Sequence, residues 1–102
     1  MEKTYTISEI SEILHPIFQS QPIVTAILFG SYAKGNATPL SDVDIMIDSK
    51  GKIRGIDFYG ILDDITCALL VPVDLIEASQ VIEGGKIQLE IAESGVSIYE
   101  RA

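Results

Sequence analysis

Asp42-Val43-Asp44 sets two carboxylates two positions apart inside a run, Ser41 to Ile47, that reads as a β-strand. Side chains alternate faces along a strand, so both acids project to one side while Val43, Ile45 and Ile47 face the other. Two carboxylates held together repel, and each makes the other harder to ionise. A divalent cation removes that penalty, and Mg²⁺ suits it, because it takes oxygen ligands from one or two carboxylates together with substrate phosphates. Gly30-Ser31 stops a second apolar run, Ile23 to Phe29. A Gly followed by Ser at a strand end lets the backbone approach a phosphate and offers amides and a hydroxyl to its oxygens. Asp74 is a third acid of interest, set in the apolar run Val71-Pro-Val-Asp-Leu-Ile76. An unpaired charge is costly to bury there, so it either faces solvent on an edge strand or serves a site.

These residues need elements to hold them. Thr6-x-x-Glu9 matches a capping box, and Ile7, Ile10, Leu14, Ile17 and Phe18 recur at helical spacing, which predicts a helix over 8–19. Pro16 should kink that helix or split off its last turn. Ile23 to Phe29 is the pattern of a central strand covered on both faces. Ser31 to Gly35 can form one helical turn, and Asn36 to Pro39 a polar loop leading back to the second strand. Asp48 shares the register of Asp42 and Asp44 but falls where that strand ends, so it is read as solvent-facing. Phe58, Leu62, Ile65 and Leu69 give a second helical stripe, with Asp57 near its N-terminus, Asp63 and Asp64 on a solvated face, and Cys67 in or near the core. Pro72 places the third strand at a sheet edge or at a strand start. Glu77 alternates to the face opposite Asp74 and is left out of the site. Gly84-Gly85 opens a last helix in which Ile87 and Ile91 pair while Glu90 and Glu93 face out, and Val96 to Tyr99 makes a short strand or an extended tail. The sum is an α/β chain, one domain over 1–102, with a mixed sheet of three to four strands packed with helices. His15, the one histidine, has nothing around it to pair with and reads as a surface helix residue.

Composition narrows the function. Seven Lys and Arg against fifteen Asp and Glu give a net charge of −8, which argues against a polynucleotide substrate, since such binding rests on cations that neutralise phosphates. Cys67 stands alone, so no internal disulfide forms and a reducing compartment fits. The first residues carry an acid and no long apolar run, unlike a signal peptide, and no uncharged apolar segment reaches membrane-spanning length. A cytoplasmic protein is expected. Mean hydropathy is +0.32, high for so small a chain, which suggests that some apolar surface meets another chain, of its own kind or of a partner.

Gly30-Ser-Tyr-Ala-Lys-Gly35 followed by Ser41-Asp-Val-Asp44 resembles the signature of the polymerase-beta-like nucleotidyltransferases, in particular their small branch, the minimal nucleotidyltransferases. The resemblance implies the polymerase-beta-like fold and adds Asp74 as a third catalytic carboxylate beside Asp42 and Asp44. It implies transfer of a nucleoside monophosphate, most simply AMP from ATP, to an acceptor hydroxyl with release of pyrophosphate. Asp42 and Asp44 would hold two Mg²⁺ ions about 3.5 to 4 Å apart, and Asp74 would complete the metal site near the acceptor and help deprotonate its hydroxyl. Gly30 and Ser31 would bind the β- and γ-phosphates, with Lys34 neutralising charge nearby. Lys34 stands where members often carry Arg, and it brings a point charge without the bidentate fork. Larger relatives hold base and acceptor with further domains, so a partner is expected to complete this site. Minimal nucleotidyltransferases of this type resemble the antitoxin halves of toxin–antitoxin pairs, whose partner is a helical HEPN-domain ribonuclease encoded nearby. In that setting the resemblance implies adenylylation of a tyrosine on the partner. Two rivals stand beside it: a non-catalytic module that neutralises its partner by occlusion, and an enzyme acting on a small antibiotic-type hydroxyl.

Overall fold

A computed structural model describes residues 4–102, and Met1, Glu2 and Lys3, the start of the stretch read as unlike a signal peptide, lie outside the described residues. The chain begins with helix α1, Ile7–Gln19, which starts where the capping box requires. The Glu9 amide donates to Thr6 Oγ1 at 3.0 Å and the Thr6 amide to Glu9 Oε1 at 2.9 Å, so two otherwise orphaned donors are satisfied. Ile10, Leu14 and Phe18 bury its inner face. The helix runs through Pro16 to Gln19 without splitting. Pro16 and Glu12 are exposed, so the carbonyl that loses its intrahelical partner can bond water instead.

Four strands form one mixed sheet in the order β3-β2-β1-β4. Strand β1 is Thr25–Phe29, β2 is Val43–Asp48, β3 is Val73–Glu77 and β4 is Val96–Glu100. β1 pairs antiparallel with both β2 and β4, whereas β2 and β3 run parallel. The parallel pair needs a crossover, and helix α3, Ile56–Leu69, provides it. β3 lies at an edge, and Pro72 stands just before its first residue, at the strand start that a proline tolerates.

The core lies between one face of this sheet and the helices α1 and α3. Ala26 and Leu28 of β1, Val43, Ile45 and Ile47 of β2, Leu75 of β3 and Ile98 of β4 meet Ile10, Leu14, Phe18, Ile61, Ile65 and Leu69. On the opposite face Thr25, Ile27 and Met46 are only half-buried. The expectation that Ile23 to Phe29 is covered on both faces is therefore corrected: β1 is an inner strand with one well-covered face, and helix α4, Lys86–Ser94, covers the other only in part. The stripe of α3 is also turned from its expected position, with Ile61, Ile65 and Leu69 buried and Phe58 and Leu62 at its margin. Cys67 falls on the side of α3 opposite Ile61, Ile65 and Leu69 and is exposed rather than in the core. Arg101 closes the C-terminal end of α1, donating from Nη2 to the carbonyl oxygens of Phe18, Gln19 and Gln21 at 3.1, 3.0 and 2.7 Å. No described helix is long and apolar enough to cross a membrane.

Candidate functional site

The site is built where β1 ends. Helix α2, Gly30–Lys34, follows Phe29 with no intervening loop, and Gly35 closes it in the left-handed conformation (φ 79°). Gly30 itself has φ +73°, and a Cβ placed on it would lie 2.1 Å from Asp44 Oδ2. The glycine is thus required twice, by its backbone and by the carboxylate that packs onto it. The contact follows from the sheet: Phe29 and Asp44 are register partners across β1 and β2, so the turn after Phe29 passes directly over Asp44.

The second register relation concerns the acids. Asp44 on β2 lies beside Asp74 on β3 in the parallel ladder, and partners in adjacent strands put their side chains on the same face. Asp42, exposed just before β2, belongs to the same patch. Burial and then the charges of Asp74, Asp42 and Glu90 push the Asp44 carboxyl up from 3.8 to about 6. A group raised by burial and like charge is one that a bound cation would relieve. As they stand, no three His, Cys, Asp or Glu side chains among the described residues lie close enough together to hold one ion. The patch is a cluster of mutual repulsion rather than a closed cage, and its all-oxygen donors fit a hard cation that shares them with phosphates.

The sequence-derived set separates as follows. Gly30, Asp42, Asp44 and Asp74 are brought together, and half-buried Ser31 adjoins Gly30. Lys34 is exposed at the far end of α2 from Gly30. Asp48 is tied to Lys50 by a 3.3 Å ion pair and by the Lys50 amide at 2.9 Å, away from the acid patch. Glu90 is the residue that sequence reasoning missed. It was assigned to the outer face of the last helix, yet it is half-buried and its charge reaches Asp44. α4 buries no residue completely, so its apolar spacing carries too little signal to orient it.

Glu77 stays out of the patch, on the opposite face of β3, but it is buried. Its Oε2 accepts from the Ser49 amide and hydroxyl, both at 2.7 Å, and its Oε1 from the Ser79 amide at 2.7 Å. Burial alone would raise its carboxyl, but the bonds from Ser79 and Ser49 outweigh that and bring it to about 2. This tie joins the end of β2 to the end of β3 and thereby holds the register that sets Asp44 beside Asp74.

Comparison with known proteins places this arrangement among relatives. A sequence profile of the family described as "Polymerase beta, Nucleotidyltransferase" matches residues 12–102. A Methanocaldococcus jannaschii protein named "Putative protein adenylyltransferase MJ1215" is 31% identical over 80 residues, spanning 74% of this chain and 93% of the relative. Among solved structures, a chain of a toxin–antitoxin complex with AMP-PNP superposes with a TM-score of 0.77 at 18% identity, covering 89% of this chain and 73% of that one. A chain from the complex of a tri-AMPylated Shewanella oneidensis HEPN toxin with its MNT antitoxin superposes with a TM-score of 0.72 at 15% identity, covering 94% and 74%. At these identities the structural likeness is one of fold.

Proposed function

The chain belongs to the polymerase beta nucleotidyltransferase family and is a nucleotidyltransferase; from that premise we propose that it moves AMP from ATP to a tyrosine hydroxyl of a helical HEPN-domain partner, silencing it as an antitoxin in the cytoplasm. The observation that carries the reading is the placement of Asp44, packed against Gly30 and in register with Asp74. One strand end thus puts a tight glycine turn beside a patch of acids. The relative named for protein adenylylation supports a protein acceptor, and the fold neighbours from toxin–antitoxin complexes support the partner.

In this reading Gly30 and Ser31 bind the terminal phosphates of ATP through backbone amides and the Ser31 hydroxyl. Asp42, Asp44 and Asp74 would hold Mg²⁺, which supplies neutralisation of phosphate charge when bound. Asp74, at the sheet edge, is open to an incoming hydroxyl and takes its proton. The acceptor oxygen forms a bond to the α-phosphorus, the bond from that phosphorus to the bridging oxygen of the β-phosphate breaks, and pyrophosphate leaves with the electron pair. No protein nucleophile is needed, because catalysis is positioning and electrostatics.

The test is co-expression with a helical HEPN-domain protein encoded beside the gene, where the genome carries one, followed by mass spectrometry of that protein with and without ATP. The reading predicts AMP adducts on tyrosine. An unmodified neighbour, with label from ATP appearing only on a small hydroxyl compound, would contradict the protein acceptor.

A further inference from the structure

The open edge of the sheet beside Asp74 is the feature that the catalytic patch leaves unexplained. β3 pairs with β2 on one side and, among the described residues, carries no strand on the other. The Val43 amide donates to the Pro72 carbonyl at 3.0 Å, which fixes the phase of the parallel ladder. In that phase residues 72, 74 and 76 turn their backbone groups toward β2, and Val73 and Leu75 turn theirs outward to the open edge. A row of unpaired amides and carbonyls is a template for one more strand.

Beside that edge runs a groove of about 480 Å³, bounded by Asp74, Leu75 and Glu77 on the strand, by Arg54 before α3 and by Phe58, Tyr59 and Leu62 in its first half. Tyr59 is 68% exposed and meets Phe58 edge to face at 5.7 Å. Arg54 is exposed and has no acidic partner among the described residues, in a chain whose net charge is −8. The groove is mixed in character, but Glu77 is already engaged by Ser49 and Ser79, so the cation Arg54, beside the rings of Phe58 and Tyr59, is left to complement a segment that brings apolar side chains and an acid.

The geometry points to an acceptor-docking edge: an extended protein segment joins β3 as an added strand, seats its apolar side chains in the groove against Phe58 and Leu62, sets an acidic residue against Arg54, and presents a tyrosine hydroxyl to Asp74. Strand pairing dictates this arrangement. A residue beside Asp74 in the added strand shares the face of Asp74, whereas its immediate neighbours point to the groove side. The inference rests on the proposed role of Asp74 at the acceptor, and it names what the acceptor segment of the otherwise helical partner must look like: an extended stretch outside its helices, with apolar residues flanking the tyrosine and an acid on the same side as those flanks.

The probe is the peptide acetyl-Glu-Thr-Val-Tyr-Val-Thr-Glu-amide, which reads alike in both strand directions, titrated into isotope-labelled protein while the backbone amide resonances are followed. The Val73 and Leu75 amides should shift and gain protection from exchange, together with shifts at Arg54 and Tyr59. The same peptide with N-methylated valines should fail to bind, and Arg54→Glu should weaken the unmodified peptide several-fold while leaving ATP affinity as it is in wild type. Absence of binding, equal binding of the N-methylated peptide, or shifts confined to α4 would overturn the docking edge. The two readings fail separately. If a protein acceptor is adenylylated while the β3 amides stay silent to the peptide, the edge is wrong and the reaction stands. If the peptide docks on β3 but AMP never passes to any protein, the reaction is wrong and the edge stands.

Discussion

Asp44 is the carboxylate on which the electrostatics of the site converge. Burial and the charges of Asp74, Asp42 and Glu90 raise it to about 6, so it takes up a proton in the folded chain more readily than in the unfolded one. The stability that this protonation contributes is fully present below about 3.8 and is lost as pH rises through about 6. Solvent still reaches the group, so the effect is discounted to about 1–2 kcal/mol. Metal-free protein should therefore gain stability from this group between about pH 7 and pH 5, and Asp44→Asn should abolish that gain and melt higher than wild type near neutrality. Melting curves in EDTA at both pH values check this, and parallel curves for the two proteins would refute it. Gly30 belongs to the same scale. Gly30→Ala would set a Cβ 2.1 Å from Asp44 Oδ2 at φ +73°, so the carboxylate must move. The variant should lose about 1–3 kcal/mol of stability, and calorimetry with Mg²⁺ should show ATP binding weakened or gone. Undiminished ATP affinity would place the phosphate turn elsewhere. The residues of this patch that were legible in the sequence are those encoded locally: Gly30-Ser31 at a strand end, and the Asp42 and Asp44 spacing. Glu90 was not, because its approach to Asp44 depends on how α4 lies across the sheet.

Among the elements, β2 and β3 position the chemistry, and their parallel register depends on Glu77. In Glu77→Gln the amide nitrogen would replace one acceptor of the set that takes three hydrogen bonds from Ser49 and Ser79. The change should destabilise the fold by about 2 kcal/mol at neutral pH, measured by urea denaturation. The ionised Glu77 of wild type contributes stability that is present above 4.5 and is lost as pH falls through about 2, so the gap between the two proteins should close only in strong acid. Equal denaturation midpoints at neutral pH would show that the tie does not hold the strands. The strands were legible because alternation along Val43 to Ile47 is strict and Pro72 marks where the third strand begins. The helices were less so. α3 is apolar on more than one side, and with Phe58, Ile61, Leu62, Ile65 and Leu69 all available, periodicity alone admits two rotations. Cys67 was placed inside on its small, apolar character alone, although helical spacing sets it opposite either stripe. Covering both faces of Ile23 to Phe29 was likewise inferred from an apolar run, and such a run does not reveal whether its second cover is a full helix or the short α4.

For the whole molecule, the described residues form four α-helices about a four-stranded sheet and present the acid patch near an open edge rather than in an enclosed cavity. Leu40, Ile56, Leu70 and Ile82 are each more than three-quarters exposed, which leaves apolar surface for another chain. The central claim is that this fold uses its acids to transfer a nucleoside monophosphate. The direct measurement supplies the co-purified acceptor with ATP labelled either in the α- or in the γ-phosphate, using wild type and Asp44→Asn. Label from the α-phosphate should pass to the acceptor in wild type, the γ label should leave with pyrophosphate, and Asp44→Asn should transfer neither. Transfer of the γ label to the acceptor, or α-label transfer by Asp44→Asn at the wild-type rate, would contradict the account.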